Sequence, residues 1–205
     1  SPIIGIEPSA ILTLRDEYLD LVPAEYRAEA ELVADNTYLI DEFLAQEIDK
    51  KHISPDWFTK EKRLIKLHGH CHQKALSSLV PTKKLLSLPK NFEVQLIPSG
   101  CCGMAGSFGY EEEHYETSMK IGELVLFPAV RNADENILVA APGTSCRHQI
   151  ADDVQHGAAH IEETIDTQDQ PDPLRRDAHP AQYEGDHRQR AARYPGRAHH
   201  GPNAD

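Results

Sequence analysis

Short apolar runs alternate along most of the chain with longer stretches in which apolar residues recur every three or four positions. The runs are rich in Ile, Val and Leu, which is typical of strands buried on both faces. They predict four β-strands, at residues 3–6, 64–67, 94–97 and 137–140. The longer stretches predict six helices, at residues 11–21, 24–34, 38–48, 75–86, 112–131 and 147–158. Strands that alternate with helices indicate an α/β fold, in which helices cover both faces of a parallel sheet.

One strand-and-turn unit occurs twice. Residues 3–11 align at a constant offset with residues 139–147, and both consist of an apolar strand, a turn with proline and the start of a helix. Ser9 then aligns with Ser145, which indicates tandem repeats. On this interpretation residue 1 is a cut. Residues 1–63 are the C-terminal remainder of a first repeat, truncated at its N-terminus, with connecting helices, and residues 64–165 are a complete second repeat.

The composition changes at about residue 166. Residues 166–205 contain no Ile, Val, Phe, Met, Trp or Lys, and Leu174 is their one branched aliphatic residue. Such a segment buries too little apolar surface to offset the entropy lost on ordering. We therefore expect residues 166–205 to be a disordered tail whose histidines are incidental.

Charge and hydropathy exclude several functions. The net charge of −12 argues against nucleic-acid binding, which needs clustered Lys and Arg. No apolar run approaches the roughly 20 residues that cross a bilayer, and no secretory signal is visible. We expect a cytoplasmic protein, with peripheral attachment at the inner face of the cytoplasmic membrane as the alternative location.

Four cysteines carry the chemistry, and each follows a predicted strand. Cys71 comes after strand 64–67, Cys101 and Cys102 after strand 94–97, and Cys146 after strand 137–140. The carboxyl ends of parallel strands share one edge of a sheet, so we expect the four thiols to converge there. Clustered thiolates in a reducing compartment select iron–sulfur centres, zinc or copper(I).

Glycines surround the paired cysteines. Gly100, Gly103 and Gly106 permit positive φ angles and let the backbone approach a ligand closely. Backbone N–H groups freed in such a loop can point at cluster sulfurs. The alternative is a glycine-rich turn with two buried cysteines that act as small hydrophobic residues.

Three segments carry a resemblance to a known family: LHGHCHQKAL around Cys71, SGCCGMAGSFGYE around Cys101, and PGTSCRHQI around Cys146. Their order resembles the cysteine-rich CCG domain that occurs in heterodisulfide reductase and in the iron–sulfur subunits of glycolate oxidase and anaerobic glycerol-3-phosphate dehydrogenase. The residues of these segments are most similar to the C-terminal part of single-chain proteins that join an FAD-linked oxidase domain, a ferredoxin-like segment and CCG repeats.

The resemblance implies a function and its partners. Cys71, Cys101, Cys102 and Cys146 would hold an iron–sulfur cluster of the 4Fe–4S type. FAD would lie in an upstream region of the same parent chain, beside a ferredoxin-like domain. Electrons from the oxidation of a 2-hydroxy acid such as lactate or glycolate would pass from the flavin to an acceptor that the sequence does not identify. This chain alone would be catalytically incomplete.

The sequence departs from the family at two positions. Gly143 stands where the family often has a further cysteine, and Ala10 stands at the position in the first repeat that matches Cys146. His70, His72 and His148 flank the cysteines, and each is a candidate for an additional ligand or for a group that contacts the ligands. His68 is interpreted as a structural histidine.

Two other kinds of site are also compatible with the sequence. The same cysteines can hold a redox-silent structural zinc ion, although zinc ligands usually come as Cys-x-x-Cys pairs. A thiol–disulfide site at Cys101 and Cys102 is the second alternative.

Overall fold

The computed structural model of the chain describes residues 1–134 and 136–153. Within these residues five short strands run between helices: β1 (Ile3–Gly5), β2 (Thr37–Leu39), β3 (Arg63–Leu67), β4 (Phe92–Leu96) and β5 (Leu138–Ala140). The α-helices are α1 (Pro8–Ile11), α2 (Glu17–Leu21), α3 (Arg27–Asp35), α4 (Ile40–Asp49), α5 (Cys71–Leu76), α6 (Val80–Leu86), α7 (Tyr115–Glu123), α8 (Leu126–Arg131) and α9 (Thr144–Asp153). Short 3-10 turns lie at Leu12–Arg15, Ala24–Tyr26, Pro55–Trp57, Phe108–Tyr110 and Glu112–His114.

The strands form two parallel sheets. Strand β1 pairs with β2, and a three-stranded sheet has the order β4-β3-β5. In that sheet Ile65 of β3 pairs with Val94 of β4 on one side and with Leu138 of β5 on the other. The α/β class and the parallel pairing predicted from the sequence are therefore confirmed.

Helices cover both faces of the three-stranded sheet. On one face Ile65 and Leu67 pack with Leu85 and Leu86 of α6. On the other face Val139 packs in a cluster with residues of α8 and α9, and this cluster also contains Cys102 and Cys146. The alternation of side chains along buried strands thus divides the core in two, and the paired thiols belong to the α8–α9 side.

Three features differ from the sequence prediction. The helix predicted at 11–21 is interrupted: α1 ends at Ile11, Leu12–Arg15 form a 3-10 turn, and α2 begins at Glu17 because the backbone of Asp16 is not helical. The helix predicted at 38–48 begins at Ile40, because Tyr38 and Leu39 continue β2 beside β1. The helices predicted at 75–86 and 112–131 are each broken into two. Pro81 and Pro128 lie in the first turns of α6 and α8, where a missing N–H costs nothing, whereas a continuous helix would have placed them in its interior.

No helix among the described residues has the length and apolar character needed to cross a bilayer. The boundary between the two repeats at residue 63 stays a prediction. The predicted tail at 166–205 lies outside the described residues.

Candidate metal centre

The four cysteines meet beyond the carboxyl ends of β3, β4 and β5. Cys71 is the first residue of α5, Cys101 and Cys102 lie in the loop after β4, and Cys146 lies in the first turn of α9. All four are free thiols. Hydrogen-bonding contacts join the Cys71 thiol to that of Cys101, Cys101 to Cys102, and Cys102 to Cys146. The topology therefore gathers these four thiols, which are far apart in sequence, into one cluster, called the cysteine cluster below.

The cysteine cluster is buried at one end and exposed to solvent at the other. Cys102 and Cys146 are 3% and 1% exposed, Cys101 is half-buried, and Cys71 is exposed. Cys102 and Cys146 belong to the apolar cluster under α8 and α9. Water thus reaches the site from the Cys71 side.

The local environment favours a thiolate at Cys101. Hydrogen bonds from the thiols of Cys102 and Cys71 outweigh the effect of burial and hold the pKa of Cys101 well below its usual value. Backbone N–H groups of Gly103 and Ala105 add to this effect. The same hydrogen bonds raise the pKa values of Cys71 and Cys102, which act as the donors.

A second sulfur is stabilised as a thiolate at Cys146. The hydrogen bond from Cys102 lowers the pKa of Cys146 against the opposing effect of burial, and His68 lowers it further. The thiolate is the form of cysteine that binds metals. Cys101 and Cys146 are therefore the two sulfurs whose surroundings favour the metal-binding form.

The loop after Cys101 has an unusual backbone. Gly103, Ala105 and Gly106 have positive φ angles of 105°, 41° and 69°. This conformation turns the N–H of Gly103 toward Cys101, with 3.3 Å between the nitrogen and Sγ. Gly100 has neither a positive φ nor a neighbour within 4 Å of an added Cβ, so its conformation does not require glycine.

The three histidines proposed from the sequence lie in different surroundings. The Nε2 of His72 lies 3.8 Å from Oε1 of Glu17, and the Nδ1 of His148 lies 2.5 Å from the hydroxyl of Tyr110. His70 is buried, and its Nδ1 has no hydrogen-bond partner in the described part of the chain. Of the three, His70 is thus the one whose ring has an unsatisfied buried nitrogen.

His70 also explains the glycine at position 143. A Cβ added to Gly143 would lie 2.3 Å from Cδ2 of His70. The imidazole ring therefore fills the space into which a cysteine at this position would project. His70 and Gly143 are a matched pair, and the departure from the family pattern has a steric reason.

His68, interpreted from the sequence as a structural histidine, also lies next to the buried cysteines. It is fully buried, and one of its ring nitrogens and the Sγ atoms of Cys102 and Cys146 all lie within 4.8 Å of one another. A signal was present in the strand pattern. Side chains alternate along β3, so the residue after Leu67 points away from the α6 side and toward the side of Cys102 and Cys146.

Glu7 connects the first strand-and-turn unit to the site. Its carboxylate caps α1 through Ser9 and accepts a hydrogen bond of 2.7 Å from the N–H of Thr144, the first residue of α9. Burial opposes ionisation, but the hydrogen bonds from Thr144 and Ser9 outweigh it and lower the pKa of Glu7. One carboxylate therefore caps the N-termini of two helices, α1 and α9, and α9 carries Cys146.

The donor set fits a soft metal centre. Thiolates, with imidazole as an occasional substitute, are the ligands of iron–sulfur clusters. Four free thiols in contact, two of them in surroundings that favour the thiolate, meet this requirement. The buried imidazoles of His68 and His70 each add a ring nitrogen that no described residue satisfies.

Comparison with known proteins identifies two kinds of relative. The chain is 29% identical over 154 residues to D-2-hydroxyglutarate dehydrogenase of Escherichia coli (strain K12), covering 73% of this chain and 14% of that protein. It is 27% identical over 164 residues to the protein of the same name from Pantoea ananatis (strain AJ13355), covering 78% of this chain and 15% of that protein. It is 28% identical over 152 residues to one of the subunits of anaerobic glycerol-3-phosphate dehydrogenase of Escherichia coli (strain K12), covering 73% of this chain and 36% of that polypeptide.

These matches have a clear limit. The chain spans between 14% and 36% of the length of these three relatives, so it corresponds to one portion of each. None of the three is named for lactate or glycolate. No family model matches the chain, and no solved structure matches it. The chain is thus related to dehydrogenases over about three-quarters of its length.

Proposed function

We propose that this chain is the iron–sulfur electron-transfer portion of a flavin-dependent dehydrogenase that oxidises a 2-hydroxy acid. The single observation that carries the proposal is the convergence of four free thiols at the carboxyl edge of one parallel sheet. The similarity to a subunit of anaerobic glycerol-3-phosphate dehydrogenase supports it, because the sequence resembles the iron–sulfur subunits of that type of enzyme.

The substrate class rests on the other relatives. D-2-hydroxyglutarate is itself a 2-hydroxy acid, so two of the similar proteins are named for the class of substrate that the sequence predicts. We propose a 2-hydroxy dicarboxylic acid in preference to lactate or glycolate. The chemistry on that substrate, the FAD and a ferredoxin-like domain would belong to other regions of the parent protein.

The residues of this chain would have distinct tasks. Cys71, Cys101, Cys102 and Cys146 would hold the cluster, which supplies one-electron transfer when bound. The N–H of Gly103 donates toward Cys101 and stabilises negative charge on its sulfur. The apolar cluster under α8 and α9 excludes water from the Cys102 and Cys146 side. The exposed Cys71 side is where an electron donor or acceptor could approach closely.

The test is metal analysis of protein purified without oxygen. We expect a brown protein that contains iron and acid-labile sulfide and that bleaches with dithionite. Serine in place of any of the four cysteines should lower bound iron severely, because the alcohol keeps the size of the side chain but is a poor ligand for a soft metal. The exposed Ser87→Ala serves as the control substitution.

Three results would contradict the proposal. Stoichiometric zinc without iron would favour the structural zinc site instead. Iron content unchanged in Cys102→Ser would show that the paired cysteines do not act together as ligands. Redox-dependent labelling of Cys101 and Cys102 in metal-free protein as purified from cells would favour the thiol–disulfide alternative.

A further inference from the structure

His68 lies at the buried end of the cysteine cluster. It follows the last residue of β3 and is 0% exposed, and its backbone N–H donates to the carbonyl of Ala140 in β5. The side chain therefore starts from a position that two paired strands hold rigidly. A residue fixed in this way has little freedom to move aside from whatever occupies the site.

A second residue orients the ring of His68. The Nδ1 of His68 and the hydroxyl of Ser99 are 2.7 Å apart, and Ser99 is also buried. Ser99 lies two residues before Cys101, so the loop that carries the paired cysteines also fixes the imidazole. An outer hydrogen bond that fixes one ring nitrogen is the usual arrangement around a histidine whose other nitrogen binds a metal.

The other ring nitrogen, Nε2, is buried and makes no hydrogen bond of normal geometry to any described residue. Native proteins rarely leave a buried polar group unsatisfied unless a ligand or a function compensates for the lost hydrogen bond. The buried sulfurs of Cys102 and Cys146 lie with one ring nitrogen of His68 inside a span of 4.8 Å.

We propose that His68 is a ligand of the metal centre through Nε2, beside Cys102 and Cys146, so that the centre has five protein donors, one more than a 4Fe–4S cubane with one ligand per iron binds. The inference rests on the proposed function, and it assigns to a histidine after β3 a role that neither the family pattern nor the spacing of the cysteines indicates. The buried end of the site is then a mixed sulfur–nitrogen environment, formed by Cys102, Cys146 and His68. Imidazole ligation raises the reduction potential of an iron–sulfur centre relative to thiolate alone.

The experiment uses protein labelled with ¹⁵N-histidine, purified without oxygen and reduced with dithionite. Pulsed electron paramagnetic resonance should detect a strong coupling between the cluster spin and a histidine nitrogen. His68→Asn should abolish that coupling and weaken metal binding by roughly tenfold or more. His70→Asn is the matched control, because His70 is also buried and its Nδ1 has no hydrogen-bond partner among the described residues; this variant should retain the coupling.

A second variant keeps the test informative if His68→Asn does not fold. His68→Cys supplies a thiolate from the same position, so it should retain iron, lose the nitrogen coupling and lower the reduction potential. Absence of a strong nitrogen coupling in the wild-type cluster would overturn the inference and leave the proposed function intact. Loss of the coupling in His70→Asn but not in His68→Asn would overturn it too, and would transfer the ligand role to His70.

Failure of the proposed function has its own signature. If the anaerobically purified protein holds zinc and no iron, the electron-transfer proposal fails. The ligand assignment is then read from X-ray absorption at the zinc edge, where His68→Asn should remove one nitrogen scatterer and His70→Asn none. An unchanged spectrum in His68→Asn would overturn the inference for zinc as well.

Discussion

Two independent constraints require glycine at position 103. Its φ of 105° belongs to a region that residues with a Cβ rarely adopt. An added Cβ would also lie 2.1 Å from the backbone oxygen of Ser118 in α7, which cannot rotate away as a side chain could. Because its N–H donates to Cys101, any shift of Gly103 also moves a group that contacts the thiols.

We therefore expect Gly103→Ala to lower the free energy of unfolding by roughly 2–4 kcal/mol. Gly100→Ala is the matched control in the same loop, where an added methyl group meets nothing within 4 Å, and it should change stability by no more than about 0.5 kcal/mol. Urea unfolding of the two variants measures the difference. Equal stability of both variants would show that the loop adjusts to a side chain at position 103.

At the scale of elements, helices α1 and α9 both begin at the carboxylate of Glu7. Negative charge at a helix N-terminus is favourable, and here one charge serves two helices from different parts of the chain. Thr144, which donates to this carboxylate, precedes Cys146 by less than one helical turn. The capping interaction therefore also fixes the start of the helix that presents a thiol to the site.

The lowered pKa of Glu7 makes this interaction depend on pH. Its contribution is fully present above the ordinary carboxyl pKa of 4.5 and is lost as the pH falls through the lower value of the folded protein. Glu7→Gln should thus lower the free energy of unfolding by about 1 kcal/mol at neutral pH. The difference from wild type should shrink as the pH falls below 4.5.

Denaturant unfolding of the two proteins between about pH 7 and pH 3 measures this effect. Glu29→Gln removes one negative charge from the exposed surface of α3 and controls for the change in net charge. A stability difference between wild type and Glu7→Gln that stays constant across this range would show that the ionised carboxylate contributes nothing beyond its shape.

The sequence predicts an element well when the element is a distinct apolar run and when clear breaks separate it from its neighbours. Runs of Ile, Val and Leu locate β1, β3, β4 and β5 to within about two residues. Strand β2 was missed because Thr37, Tyr38 and Leu39 run without a break into the apolar pattern of α4. The prolines at 81 and 128 signal the helix breaks, but the apolar periodicity continues across them.

The site likewise contains features that the sequence predicts and features that it does not. The strand assignments alone predict the convergence of the four cysteines, because the carboxyl ends of parallel strands share one edge of a sheet. These cysteines are Cys71, Cys101, Cys102 and Cys146. The place of His68 was not predicted, because it depends on which face of β3 the α8–α9 cluster covers. The steric match of His70 with Gly143 is a contact between two turns, and no local pattern contains it.

At the scale of the whole molecule, the N-terminal segment is packed against the part that carries the site. Asp41 of α4 is buried and accepts hydrogen bonds from Gln73 of α5 and Thr82 of α6. Burial raises the pKa of Asp41 despite these hydrogen bonds. Together with the contact between Glu7 and Thr144, this network ties the N-terminal segment to α5, which begins at Cys71, and to α9.

The C-terminal segment, in contrast, is expected to be dispensable. Truncation after Ile165 removes residues whose one branched aliphatic side chain is Leu174, so soluble yield and iron per chain should stay unchanged. Truncation after Ala141 is the control, and it should lose iron because it removes Cys146 with α9. Loss of iron or solubility in the first truncation would show that residues 166–205 contribute to the folded domain.

The hydrogen bond between Glu7 and Thr144 joins residues 137 positions apart. Translation proceeds from the N-terminus at roughly 5–20 residues per second, so Glu7 leaves the ribosome seconds before its partner exists. During that interval Cys71, Cys101 and Cys102 have been synthesised without the fourth thiol. If the four cysteines hold a metal centre as proposed, complete metal loading would follow the arrival of α9, and a reducing environment would keep the first three thiols unpaired until then.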